Sequence, residues 1–133
     1  KIKNNMSTTK YQIRQGESIA MQIPVVDESG IAVDVSGTDV TNIVVTLSRN
    51  NTVIAKYSLN NMGTSYGNLT TDTNIITILA TREQTQLWET GYASANVTVE
   101  FTDITLTYLV YDFEYPAFLQ IYPSVNAQYT LIH

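Results

Sequence analysis

The chain is predicted to be all-β: an immunoglobulin-like β-sandwich of about seven to eight strands with one short helix. Three observations predict it. Apolar and polar residues alternate with period two in several short segments. Gly, Asn, Asp and Ser turn signals separate those segments at regular spacing, and no segment of useful length carries a helical period. A partly closed barrel is the alternative with the same signature. The 133 residues suit a single domain with a self-sufficient core.

Residues 1–10 have no periodicity and read as a flexible N-terminal arm. Residues 11–123 are the expected sandwich domain, and residues 124–133 a C-terminal tail. Tyr11 to Arg14 is a short first strand, and Gln15-Gly16-Glu17-Ser18 a turn. Ile19, Met21 and Ile23 then alternate with Ala20, Gln22 and Pro24. Pro24 cannot donate to a ladder, so it marks a sheet edge or a strand end. Asp27-Glu28-Ser29-Gly30 is a turn, with Gly where a positive φ is needed. Ile43, Val45 and Leu47 form the next apolar face, and Asn50-Asn51 separates them from Val53, Ala55 and Tyr57, as in a hairpin.

Residues 60–72 are rich in Asn, Gly, Ser and Thr and read as a long loop with an irregular strand inside. Ile75 to Ala80 is β-branched and apolar. Thr81 begins a short helix, because Gln84 stands three residues on, at capping-box spacing. Ala93, Ala95, Val97, Val99 and Phe101 give the cleanest alternation in the chain. Thr102-Asp103 turns it into Leu106, Tyr108 and Val110, the strongest hairpin signal.

Composition narrows the function. Net charge is -5 with only seven Lys and Arg, three of them (Lys1, Lys3, Lys10) in the arm. Nucleic-acid binding needs cations to displace phosphate counterions, so it is not expected. No apolar run approaches the roughly 20 residues of a membrane-spanning helix. The absence of cysteine excludes disulfides, thiolate metal sites and cysteine nucleophiles. His133 is the single histidine and stands at a fraying position, so Ser–His systems and histidine metal sites are not expected. Glycoside hydrolysis needs two facing carboxylates, but the twelve acids are scattered, mostly in turns. Asp27, Glu28, Asp34 and Asp103 lack the spacing of a calcium loop. No Gly-rich phosphate loop is present. The expectation is a protein that is not an enzyme and has no catalytic residues, cofactor or metal.

Aromatic residues carry the binding expectation. Tyr is large and rigid with a polar tip, which suits interfaces. Tyr108, Tyr111, Phe113, Tyr115, Phe118 and Tyr122 crowd one stretch. Alternation would put one set in the core and leave the other to be covered, by the domain or by a neighbouring subunit. Trp88, just after the short helix, is expected to plug the end of the core. The interface residues expected are Tyr111, Phe113, Tyr115, Phe118 and Tyr122, with Tyr129, Leu131 and Ile132 from the tail. The tail is extended and apolar enough to lie across a neighbour as an added strand.

Three pieces line up in order. Gln15-Gly16-Glu17-Ser18 precedes an alternating strand. Asp27-Glu28-Ser29-Gly30 and Val33-Asp34-Val35-Ser36-Gly37-Thr38 precede the strand from Ile43 to Leu47. A helical step from Thr81 precedes Gly91-Tyr92 and the strand from Ala95 to Phe101. Over Tyr11 to Phe101 this arrangement resembles the immunoglobulin-like N-terminal domain of phage baseplate upper proteins and related tail, neck and head-decoration proteins. In that group a dGxxvDLtG turn links the second and third strands; here Val35 stands where Leu is usual and Ser36 where Thr is usual. The resemblance implies a non-catalytic virion structural protein, with other virion proteins and copies of itself as partners in a symmetric oligomer. The rival expectation is a carbohydrate-binding or adhesion module that recognises a host glycan through exposed Tyr and Asn.

Overall fold

The computed structural model describes residues 9–60, 63, 66–109 and 117–124. Among them, nine strands and one helical turn follow in order. They are β1 (Thr9–Arg14), β2 (Ile19–Pro24), β3 (Val40–Arg49), β4 (Thr52–Ser58), β5 (Gly67–Asp72) and β6 (Ile75–Ala80), then α1 (Arg82–Thr85), β7 (Gly91–Phe101), β8 (Thr105–Leu109) and β9 (Ala117–Tyr122). The first strand starts two residues before the expected Tyr11, and Thr9 is buried. The Asn-rich stretch does contain a strand, β5, anchored by buried Leu69.

Two sheets stack. One is β2-β6-β5, with antiparallel pairs throughout; the other is β1-β9-β7-β3-β4, in which β1 and β9 run parallel. This division of strands is the immunoglobulin-like arrangement. The count exceeds the expected seven to eight because the long β7 carries two short partners along one edge. Asn96–Glu100 pairs with β8, and Gly91–Ala93 pairs with β9. The sheets also join at one side, where β4 meets β5 at Tyr57–Gly67 and Ser58–Asn68. The sandwich is therefore nearly a closed barrel.

Alternation explains the interior. Met21 and Ile23 from β2, Ile43, Val45 and Leu47 from β3, and Ile76 and Ile78 from β6 are fully buried. Val97 and Val99 from β7 and Leu119 and Ile121 from β9 are buried beside those of β3, in the same sheet. Each such side chain contributes about 1.5–3 kcal/mol of hydrophobic stabilisation. Trp88 is buried too, at the end of the core where it was expected.

The turns follow their residues. Asn50 and Asn51 both have positive φ (51° and 67°) between paired Arg49 and Thr52. That is the two-residue hairpin turn whose twist matches its strands. The Asp27 carboxylate accepts from the N–H groups of Ser29 and Ile31, and Gly30 has φ +82°. Asp34 Oδ1 accepts from both the N–H and the hydroxyl of Ser36, which holds its carboxyl below the usual range. Val35, between them, is buried.

Candidate interaction surface

A sandwich has sheet edges, and an unpaired edge invites another strand. The β2 edge is closed by one side chain. The Gln22 N–H donates to Tyr11 Oη at 2.8 Å, and the Tyr11 hydroxyl is 3.2 Å from the Gln22 carbonyl that accepts from it. Two residues on, at the same orientation, stands Pro24, with no N–H to present. The Tyr11 ring meets Phe118 edge-on, with centroids 5.4 Å apart.

The β4 edge is finished differently. The Leu59 N–H donates to the Ile43 carbonyl at 2.9 Å. Alternation from there turns the amides of Tyr57 and Ala55 toward β3 and that of Lys56 away from it. β5 meets β4 only at Tyr57 and Ser58. Among the described residues, no strand pairs with the outer side of Thr52–Ala55.

Beside this free edge lies a groove of about 370 Å³, between β4 and the segment from Gln84 to Glu89. Buried Trp88 and half-buried Ile54 and Ala55 line it. Leu87, 81% exposed, and Val53, 48% exposed, flank it. At one end Arg49 Nη1 pairs with Glu89 Oε1 at 3.0 Å, so the two charges largely offset each other. Arg49 Nε is buried without a hydrogen-bond partner among the described residues. Gly91, at φ +129°, lies against the same guanidinium, where a Cβ would come within 2.5 Å of Nε.

The wall formed by α1 is held firmly. Thr81 caps it, accepting from the Gln84 N–H, while Gln84 Oε1 accepts from the Thr81 N–H at 3.0 Å. Buried Thr85 fastens it to the β1–β2 turn: its hydroxyl accepts from the Gly16 N–H at 3.1 Å and donates to the Glu17 carbonyl at 2.7 Å. The Gln15 side chain donates to the Trp88 carbonyl at 2.6 Å. On the β4 side, the Tyr57 hydroxyl donates to Gln84 Oε1 at 3.2 Å, and burial pushes the phenol's pKa up.

The expected interface residues fall into three groups. Phe118 is only 6% exposed and belongs to the chain's own core, because Tyr11 covers it; its ring braces the β2 latch and offers no free surface. Tyr122 is half-buried, with the Arg14 guanidinium 5.8 Å from its ring centroid and its hydroxyl donating to Gln120 Oε1. Tyr111, Phe113, Tyr115, Tyr129, Leu131 and Ile132 lie outside the described residues.

The groove was not foreseen. Reading Val53, Ala55 and Tyr57 as one apolar face assumes an unbroken strand. A bulge breaks it: Leu47 pairs with Ala55 but Ser48 pairs with Val53, so Ile54 is the extra residue and Val53 turns outward. Leu87 was the available signal, a large apolar residue just past a very short helix. Trp88, the side chain a sugar-stacking site would lean on, is 4% exposed. Among the described residues, no three His, Cys, Asp or Glu side chains converge as metal ligands. No family model and no curated protein matches this chain.

Proposed function

We propose that the chain is a non-catalytic structural protein of a phage virion that assembles with copies of itself and with other virion proteins. One observation carries the assembly reading: among the described residues, Thr52–Ala55 of β4 has no partner on its outer side, and exposed Val53 and Leu87 stand together beside it. Monomeric sandwiches blunt such edges with Pro, charge or cover, and β2 shows this chain doing so with Pro24 and Tyr11. The bulge at Ile54 and Lys56 blunt β4 against strand addition, so exposed Val53 and Leu87 are the feature here that suits a protein partner.

The virion assignment is supported by where the turns fall. Gln15-Gly16 links β1 to β2, Asp27–Gly30 and Asp34–Gly37 lie between β2 and β3, and Gly91-Tyr92 opens β7. A turn between the second and third strands is what the resemblance to phage baseplate upper proteins implies. Symmetric repetition would then multiply modest edge contacts into a stable shell.

Sedimentation velocity over a wide concentration range tests the reading. Discrete oligomers are expected, shifted toward monomer by Leu87→Asp. A chain that stays monomeric throughout and binds a host-wall glycan in calorimetry would replace assembly with the adhesion reading.

A further inference from the structure

We infer that two copies of this chain pack about a two-fold axis beside Leu87, with Leu87 and Val53 of the copies together and Glu89 of each against Lys56 of the other. This rests on the assembly reading and names the partner and the contact.

The contact is between side chains. The bulge at Ile54 and the short Tyr57–Gly67 pairing leave β4 no continuous outer ladder to extend. Beside it, Leu87 is exposed on one wall of the groove and Val53 on the other. Covering them removes apolar surface from water. Leu87 is also presented rigidly, because the capping box and the Thr85 hydroxyl fix the turn it follows. A side chain already held in place loses little freedom on binding.

Charge selects a second copy as the partner. The segment from Gln84 to Glu89 and β4 run in opposite directions along the groove. Glu89 stands at the Arg49 end, 3.0 Å from Nη1, and Gln84 at the Tyr57 end, 3.2 Å from that hydroxyl. Lys56 lies toward this second end, three residues beyond Val53 or about 10 Å along the strand. The patch is therefore apolar in the middle, with a carboxylate toward one end and an ammonium toward the other. Rotation about a two-fold axis exchanges the ends and sets each Glu89 on the other copy's Lys56. A patch that meets itself must be self-complementary in this way. Both groups can take the contact. Arg49 meets only Oε1 of the exposed Glu89 side chain. The Lys56 ammonium rests 5.5 Å from the Tyr66 ring centroid, with no carboxylate partner among the described residues.

The remaining charges favour the same face. The chain carries a net charge of -5, so copies repel unless their acidic surfaces are kept apart. Asp27, Asp34, Asp39, Asp72 and Asp103 lie in loops that meet at the far end of the sandwich. There the Val35 N–H donates to the Thr73 carbonyl and the Thr102 N–H to the Asp39 carbonyl. None of those loops contains Lys or Arg. At the groove end, Arg14, Arg49 and Arg82 balance Glu17, Glu83 and Glu89. Packing through the groove face brings two neutral ends together and turns the acidic ends away from each other.

The chain has no cysteine, so Leu87→Cys marks a single point. A short bis-maleimide is expected to join copies through it into covalent dimers, and to leave Ile31→Cys, exposed among the acidic loops, monomeric. Charge reversal tests the pairing. Lys56→Glu and Glu89→Lys are each expected to weaken self-association by about tenfold in sedimentation equilibrium. Mixing the two variants should restore dimers, because both junctions then join opposite charges again. Leu87→Cys, at an exposed position, carries the test should a reversed variant fail to fold. Equal cross-linking through Ile31→Cys would overturn the inference, as would reversed variants that self-associate unchanged or do not recover on mixing. Copies that associate without cross-linking through Leu87→Cys refute the two-fold contact alone. Copies that never associate refute self-assembly as well.

Discussion

The Tyr11 hydroxyl takes the two backbone groups of Gln22 that would otherwise face a partner strand. Tyr11→Phe leaves both groups to water and keeps the ring on Phe118. The expected cost is about 1–3 kcal/mol for two hydrogen bonds, read as a lower melting temperature with faster exchange of the Gln22 amide. Tyr57 acts through its protonation. Its pKa is raised by burial above the ordinary 10.0, so the folded state holds the phenol's proton where the unfolded chain releases it. The stability this contributes is complete below pH 10 and is lost as pH rises beyond it. Tyr57→Phe is therefore expected to flatten the alkaline limb of the stability profile, measured by urea unfolding at stepped pH. Asp34 has the opposite sign: its depressed pKa contributes stability at neutral pH that is lost in acid, as pH falls through its folded value. Thr73 is a β-branched residue at φ 51°, a conformation that suits Asn or Gly. Its carbonyl accepts from the Val35 N–H at 2.8 Å, which ties the β2–β3 connection to the β5–β6 turn. Thr73→Asn should relieve the strain and keep the carbonyl, raising stability by about 1 kcal/mol in thermal melts.

At the scale of elements, α1 is too short to be stable alone. Its capping box and the Thr85 hydroxyl hold it, and with it one wall of the groove. Thr85→Val keeps the shape but orphans the Gly16 N–H and the Glu17 carbonyl. A loss of about 1–3 kcal/mol is expected, and proteolysis near Leu87 should speed up more than global unfolding predicts. The β4–β5 junction is equally specific. Gly67 lies flat on the Tyr57 ring, where a Cβ would come within 2.6 Å of a ring carbon. Gly67→Ala should open the short parallel pairing that joins the two sheets, seen as faster amide exchange in β5. Helix and strands of this kind were legible in the chain. The capping box from Thr81 to Gln84 and the alternation of Ala93 to Val99 each act within a few residues, where backbone geometry alone sets the outcome.

Across the whole molecule, two sheets nearly close on themselves, and the edges are treated unequally. The β2 edge is latched by Tyr11 and Pro24, whereas among the described residues Thr52–Ala55 of β4 has no strand on its outer side.

Residue order by itself determined that the chain is a β-sandwich with a short capped helix, that Trp88 is core, and where the main turns fall. These depend on period-two burial and on the local φ preferences of Gly, Asn and Asp, which neighbouring residues settle among themselves. Only the tertiary structure decided how the strand edges are finished and that Phe118 belongs to the core. The bulge at Ile54 turned Val53 outward, and Tyr11, on the neighbouring strand, covered Phe118. A one-residue slip in pairing reverses the face of the side chains beyond it. Such slips, and contacts between residues about a hundred positions apart, are settled by packing and leave no period in the sequence.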